Sequence, residues 1–154
     1  MADRWIRERF ENYQAKLAAQ QQREEWNHKA RTSYDAQFDL LKSRVGEDVK
    51  TYNELFAQHK DCIAKFVAEF QGKNTFIVEC ARKGKNVMVE KVGFPIIKAY
   101  WNISHGVSPE RSGVLEIAAD DEGAVRFKHF EEFLPDVSDA SKVILDSVLC
   151  GETE

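Results

Sequence analysis

The sequence contains no proline in its first 72 residues, and only Gly46 and Gly72 supply glycine there. Proline and glycine are the residues that most often interrupt helices, whereas runs such as residues 14–25 consist of strong helix formers. This scarcity predicts a helical N-terminal region over residues 1–72.

Long apolar stretches and closely spaced cysteines are also missing. No stretch approaches the ~20 apolar residues that a membrane-spanning helix needs, and the charged first residues precede no apolar segment of signal-peptide length. The three cysteines, Cys62, Cys80 and Cys150, are odd in number and far apart in sequence, which argues against a disulfide framework. We therefore expect a soluble, cytoplasmic protein with reduced thiols.

The charge of the chain is modest in total but uneven in distribution. The 154 residues are 43% hydrophobic and 31% charged, with a formal net charge of −4, which excludes a disordered chain and a strongly basic nucleic-acid binder. Residues 73–111 hold seven basic and three acidic side chains, whereas residues 112–154 hold three and eleven. Nucleic acid is therefore an unfavourable partner, and no membrane partner is expected.

Apolar residues recur at heptad spacing in the helical region. The first stripe contains Ile6, Phe10, Tyr13 and Leu17. A second stripe extends from Tyr34 to Phe66. The spacing is typical of coiled coils, and it predicts that the helical half packs against other helices.

The heptad positions between the two stripes are polar, at Gln20, Glu24 and Asn27. Two layouts explain this break. One is a helical hairpin that turns at residues 31–33, with Thr32 or Ser33 as the N-cap of a second helix, and the other is one long helix with a register shift. We favour the hairpin.

From residue 73 onward the pattern changes to the two-residue alternation of β-strands. The alternating segments are residues 75–82, 86–92, 96–103, 113–119 and 124–130. A last helix follows Pro135 and ends near Cys150. The expected fold is α+β, with long N-terminal helices over residues 1–72 and, over residues 73–154, an antiparallel meander of about five strands and a C-terminal helix.

Few residues suggest chemistry, and no catalytic set or cofactor motif is present. His59 and Cys62 are three residues apart on a predicted helix, with Cys80 as the natural third ligand of a zinc ion. Because both fall on the second stripe, we expect core packing and predict no metal. The segment Asp120-Asp121-Glu122 is interpreted as an acidic hairpin turn rather than a calcium loop.

Two further groups are candidate binding sites. The basic residues Arg82, Lys83 and Lys85 lie on the turn of the first hairpin, although charges at such a tip are usually solvated. Trp101 and His105 lie on or beside a long loop with glycine and proline, which is a common place for a ligand contact.

These observations support a non-enzymatic interaction or scaffold protein that forms a homodimer or other homo-oligomer, or binds another protein, through its helical half. The first stripe is the expected interface. The alternative is a small-ligand-binding or enzymatic α+β domain with a pocket near Trp101 and His105, between the sheet and the C-terminal helix.

Overall fold

A computed structural model describes residues 3–104 and 108–151 of the chain. It contains two α-helices, α1 (Arg4–Leu55) and α2 (Val137–Leu145), and a short 3-10 helix at Lys60–Cys62. The seven strands are β1 (Ala64–Val67), β2 (Thr75–Cys80), β3 (Lys85–Gly93), β4 (Ile96–Trp101), β5 (Arg111–Ala119), β6 (Val125–His129) and β7 (Glu132–Phe133). The α+β prediction is confirmed, with seven strands rather than about five.

The strands form one antiparallel sheet in which each strand pairs with its neighbour in sequence, from β1 to β7. Val87 on β3 stands between Val78 on β2 and Trp101 on β4, and all three side chains are buried on one face. The alternation that predicted the strands therefore also identifies the inner face of the sheet, because successive side chains point to opposite faces.

The prediction of a helical hairpin was wrong, because α1 is one continuous helix of 52 residues, about 78 Å long. The hydroxyls of Thr32 and Ser33 do not cap a second helix. They donate instead to the carbonyl of Lys29, at 3.1 and 2.8 Å. Such bonds to the preceding turn satisfy the hydroxyls inside a helix, so neither side chain acts as a cap.

The second stripe also ends earlier than predicted. Leu55 is 78% exposed, His59 lies beyond the helix and is exposed, and Phe66 belongs to β1. At the end of α1, a side chain of the helix binds the backbone of the segment that leads into β1. The Asn53 amide accepts from the Ala64 nitrogen at 2.8 Å and donates to the Ala64 carbonyl at 2.9 Å, which holds the start of β1 against α1.

The core lies between α1, α2 and the inner face of the sheet. From α1 it receives a stripe of seven buried residues: Ala30, Tyr34, Phe38, Leu41, Val45, Val49 and Tyr52. Helix α2 is joined to α1 by a hydrogen bond of 2.6 Å from the Ser141 hydroxyl to Asp48. Only the part of α1 after about residue 26 takes part in this body, which leaves its first half outside.

Candidate functional site

The first half of α1 is an exposed helical arm, here called the projecting segment and comprising residues 4–25. Every residue in it is exposed, and it extends about 33 Å beyond the body. The four residues of the first stripe are large and apolar, yet Ile6 is 53%, Phe10 58%, Tyr13 64% and Leu17 42% exposed. A contiguous row of this kind is unusual on a monomer and is typical of an interaction surface.

The projecting segment leaves the body at the turn between β5 and β6. There the Lys29 ammonium donates to the Gly123 carbonyl at 3.2 Å, and the Trp26 indole covers the glycine. Gly123 has φ +82°, and a Cβ at this position would lie 2.7 Å from Trp26 Nε1. Glycine is therefore needed twice, for its backbone conformation and for the close approach of the helix.

The first stripe does not point in the direction of the buried stripe of the same helix. Tyr34 and Phe38 continue the heptad register of the first stripe, but a straight α-helix drifts by about 20° per heptad, so the four heptads from Ile6 to Tyr34 rotate the face by about 80°. The sheet that covers Tyr34 and Phe38 does not extend over the first stripe in any case, because the body meets α1 only from about residue 26 onward.

Basic side chains flank the first stripe. With Phe10 and Leu17 as heptad a positions, the g positions are Arg9, Lys16 and Arg23, and the e positions are Arg7, Gln14 and Gln21. One flank is therefore uniformly cationic and the other is largely neutral. This asymmetry restricts how two such helices can pair.

Trp101 lies in the core at the edge of an open cleft of about 480 Å³ between β4, β5 and α2. The polar groups that line this cleft include Arg111, His129, Asp139, Lys142 and Asp146. The indole itself is only 5% exposed, so little of it is available to a ligand. His105, the other residue predicted for this site, lies outside the described residues.

The basic residues of the first hairpin are partly engaged within the protein. Arg82 forms an ion pair of 2.7 Å with Asp61, and the Lys83 ammonium donates to the Leu149 carbonyl at 3.4 Å. Lys85 begins β3 and is half-buried. These contacts reduce the charge that the predicted patch offers to an anionic partner.

His59 and Cys62 do not share a helix face, contrary to the prediction. His59 is exposed after the end of α1, whereas Cys62 is buried in the 3-10 helix. Within residues 3–104 and 108–151, no group of three His, Cys, Asp or Glu side chains is arranged to hold a metal ion.

The structure brings together the three cysteines that are distant in sequence. The Sγ atoms of Cys80 and Cys150 are 3.8 Å apart, and Cys80 Sγ lies 3.4 Å from the Cys62 carbonyl. Tyr52 joins this cluster, because its hydroxyl donates to the Cys62 carbonyl at 2.7 Å and accepts from the Cys150 nitrogen at 3.1 Å. Residue spacing gives no signal for this thiol cluster, since tertiary packing alone creates it.

The electrostatic environment distinguishes Cys150 from an ordinary thiol. Its pKa is lowered, with the neighbouring Tyr52 hydroxyl as the largest cause and the Cys62 thiol as the second. The positive charge of Arg82 acts in the same direction. Cys150 is also partly exposed and lines an open cleft of about 310 Å³ between α1 and α2.

Comparisons with protein-family models, with curated proteins and with solved structures find no match for this chain. Over the part of the chain that the structure describes, no helix combines the length and the apolar character needed to cross a membrane.

Proposed function

We propose that the protein is a non-enzymatic interaction protein that self-associates through the projecting segment. The observation that carries this proposal is the exposed first stripe, in which four large apolar side chains follow the coiled-coil spacing on the part of α1 that the sheet leaves uncovered. Pairing with the same stripe of a second copy removes these side chains from water.

The magnitude of this burial indicates a weak association. Fully burying a large apolar side chain contributes roughly 1.5–3 kcal/mol, and each stripe residue is already about half buried in the monomer. Eight such residues in a dimer therefore contribute on the order of 6–12 kcal/mol, against an association cost of about 4–15 kcal/mol. We expect dissociation in the micromolar range or above rather than a permanent dimer.

The flanking charges favour a parallel arrangement. In a parallel pair, g positions face e positions, so Arg9 stands opposite Gln14 and Lys16 opposite Gln21 of the second copy. In an antiparallel pair, g faces g, which places Arg9 opposite Lys16 twice. Because like charges at such positions repel, two copies pair with their helices running in the same direction.

Sedimentation velocity between about 1 and 200 μM tests the proposal. The parent should change from monomer to dimer over this range, whereas Phe10→Glu/Leu17→Glu should remain monomeric. The matched control is Ala15→Glu/Ala19→Glu, which adds the same charge on the opposite face of the same helix and should still associate. A monomeric parent at 200 μM, or equal loss of association in both variants, contradicts the proposal.

Removal of the projecting segment tests whether self-association can be lost while the body stays folded. Ala30 is buried in the body and Trp26 packs at its edge, so removal of residues 1–25 should leave the body folded. We expect a circular dichroism melting transition close to that of the parent, together with loss of dimerisation. A truncated chain that still associates shows that the interface lies elsewhere.

The cleft beside Trp101 supports a second candidate function, the binding of a small ligand. Its supporting observation is the convergence of Arg111, His129 and Lys142 around one open space. Native mass spectrometry of the freshly purified protein tests it, and a co-purifying small molecule that is lost in Lys142→Glu is the expected result. A parent protein that shows only the mass of the polypeptide contradicts the ligand-binding function.

A further inference from the structure

The thiol cluster brings together an accessible sulfur and a buried one. Cys80 is only 1% exposed on β2, whereas Cys150 is half-buried beyond the end of α2 and lines the cleft between α1 and α2. Their Sγ atoms are 3.8 Å apart, which is van der Waals contact between two reduced thiols. A small oxidant in the cleft therefore reaches Cys150 first, and Cys80 is the neighbouring nucleophile.

We propose that this cluster is an oxidative modification site, in which a hydroperoxide oxidises Cys150 and Cys80 then closes an intramolecular disulfide with it. This inference is independent of self-association, because it concerns the opposite end of α1 from the projecting segment.

The first step is oxidation of Cys150 by the hydroperoxide. The Cys150 thiolate attacks the terminal oxygen of the peroxide, an S–O bond forms, and the O–O bond breaks. Sulfur loses two electrons and becomes a sulfenic acid, and the peroxide is reduced to water or an alcohol. The lowered pKa of Cys150 supports this step, since the thiolate is the reactive form.

The second step uses Cys80 as the resolving thiol. Its sulfur attacks Cys150 Sγ, the S–S bond forms, and the S–O bond breaks. The departing hydroxide takes the Cys80 proton and leaves as a second water molecule. An external thiol reverses the modification by disulfide exchange and restores both thiols.

The geometry requires a small adjustment of one segment. A disulfide needs a sulfur separation near 2.05 Å, so the two Sγ atoms must approach by about 1.8 Å. Cys80 is fixed by β-pairing, with Lys85 as its partner on β3. Cys150 lies in the turns after α2 and belongs to no strand, so it is the residue that moves. The movement must keep or break the hydrogen bond from its nitrogen to the Tyr52 hydroxyl.

Peptide mapping of the full chain tests the proposal. The reduced protein at about 1 μM, where the proposed dimer dissociates, is treated with a small excess of hydrogen peroxide at pH 7 and alkylated. We expect one Cys80–Cys150 linkage, one free thiol at Cys62, a monomeric band on a non-reducing gel and full reversal by dithiothreitol. The same treatment in guanidinium chloride is the control, in which the three thiols should pair without preference.

Variants and melting give independent readouts. Cys80→Ser and Cys80→Ala should leave a Cys150 sulfenic acid that dimedone traps, whereas Cys62→Ser should still form the linkage. The oxidised parent should melt at least about 5 °C above the reduced parent, because the disulfide closes a long loop. A Cys62–Cys150 linkage, linkage between chains only, or three free thiols after peroxide treatment overturns the proposal.

Discussion

The indole of Trp101 is held by three chemically different contacts. Its Nε1 donates to the Ile144 carbonyl at 3.0 Å, and the Arg111 guanidinium carbon lies 4.1 Å from the ring centroid. A Cβ at Gly113 would come within 3.0 Å of the ring, so glycine provides the space for it. The ring therefore joins α2 to the sheet as well as filling the core.

We expect Trp101→Ala to lower the free energy of unfolding by about 3–5 kcal/mol, because it removes a large buried ring and leaves a cavity. Urea denaturation measures this change. Phe130→Ala is the control, since Phe130 is 85% exposed, and it should change stability by less than about 0.5 kcal/mol. A loss below about 1 kcal/mol for Trp101→Ala would show that the ring contributes little to the core.

Asp120 organises the turn between β5 and β6 rather than a cation site. One of its oxygens accepts from Arg126 Nε at 2.7 Å, and the other accepts from the backbone nitrogens of Glu122 and Ala124. The hydrogen bond from Arg126 and then that from Ala124 lower the pKa of the carboxyl below its ordinary value of 3.8. All of these bonds favour the charged form.

A lowered pKa in the folded state means that Asp120 contributes stability above its unfolded pKa and loses that contribution as pH falls through the folded value. We therefore expect the parent to have a higher melting temperature than Asp120→Asn at pH 7. The difference between the two melting temperatures should decrease steadily below pH 3.8. Asp121→Asn, its exposed neighbour in the same turn, is the control. A difference in melting temperature that is constant from pH 7 to pH 2 would show that the charge of Asp120 does not stabilise the turn.

At the scale of elements, Asn53 joins the end of α1 to the start of β1. The two hydrogen bonds between Asn53 and the backbone of Ala64 replace the pairing that a neighbouring strand would supply. We expect Asn53→Ala to lower the free energy of unfolding by about 1–3 kcal/mol, because it leaves two backbone groups without partners. Glu54→Ala, on the exposed side of the helix, should cost less than about 0.5 kcal/mol in the same urea experiment, and equal losses would contradict this role.

The elements that could be predicted from the sequence are those with a long local pattern. Strands β2 to β6 have five to nine residues of alternation and were predicted within a few residues. Strands β1 and β7 have four and two residues, too few for a period to show. The end of α1 could not be predicted, because the contacts made there, such as those between Asn53 and Ala64, form only in the folded chain.

The candidate site likewise has features that local spacing predicts and features that only the fold determines. The residues of the first stripe were recognisable from their spacing, but spacing does not determine burial. Phe10 and Phe38 follow one heptad register, and Phe10 is 58% exposed whereas Phe38 is fully buried. The difference arises from where the sheet lies along α1, a property of the whole fold. The thiol cluster likewise depends on contacts between residues up to 98 positions apart.

At the scale of the whole molecule, α1 extends well beyond the body, so the overall dimensions of the proposed dimer depend on the direction in which its two helices run. A parallel dimer places both bodies at the same end, with a maximum dimension near the 78 Å length of the helix, or about 80–90 Å. An antiparallel dimer that overlaps only the first stripes places the bodies at opposite ends, at about 130 Å.

Small-angle X-ray scattering, at concentrations where the proposed dimer is expected to form, distinguishes these arrangements. We expect the parallel form, because the antiparallel one places Arg9 opposite Lys16. The mass should then double while the maximum dimension remains close to that of monomeric Phe10→Glu/Leu17→Glu. The variant Lys16→Glu gives an internal check. In the antiparallel pair it replaces the repulsion between Arg9 and Lys16 with an attraction, so the maximum dimension should increase toward about 130 Å. A parent dimer near 130 Å would show that apolar packing of the stripe outweighs the repulsion between its cationic flanks.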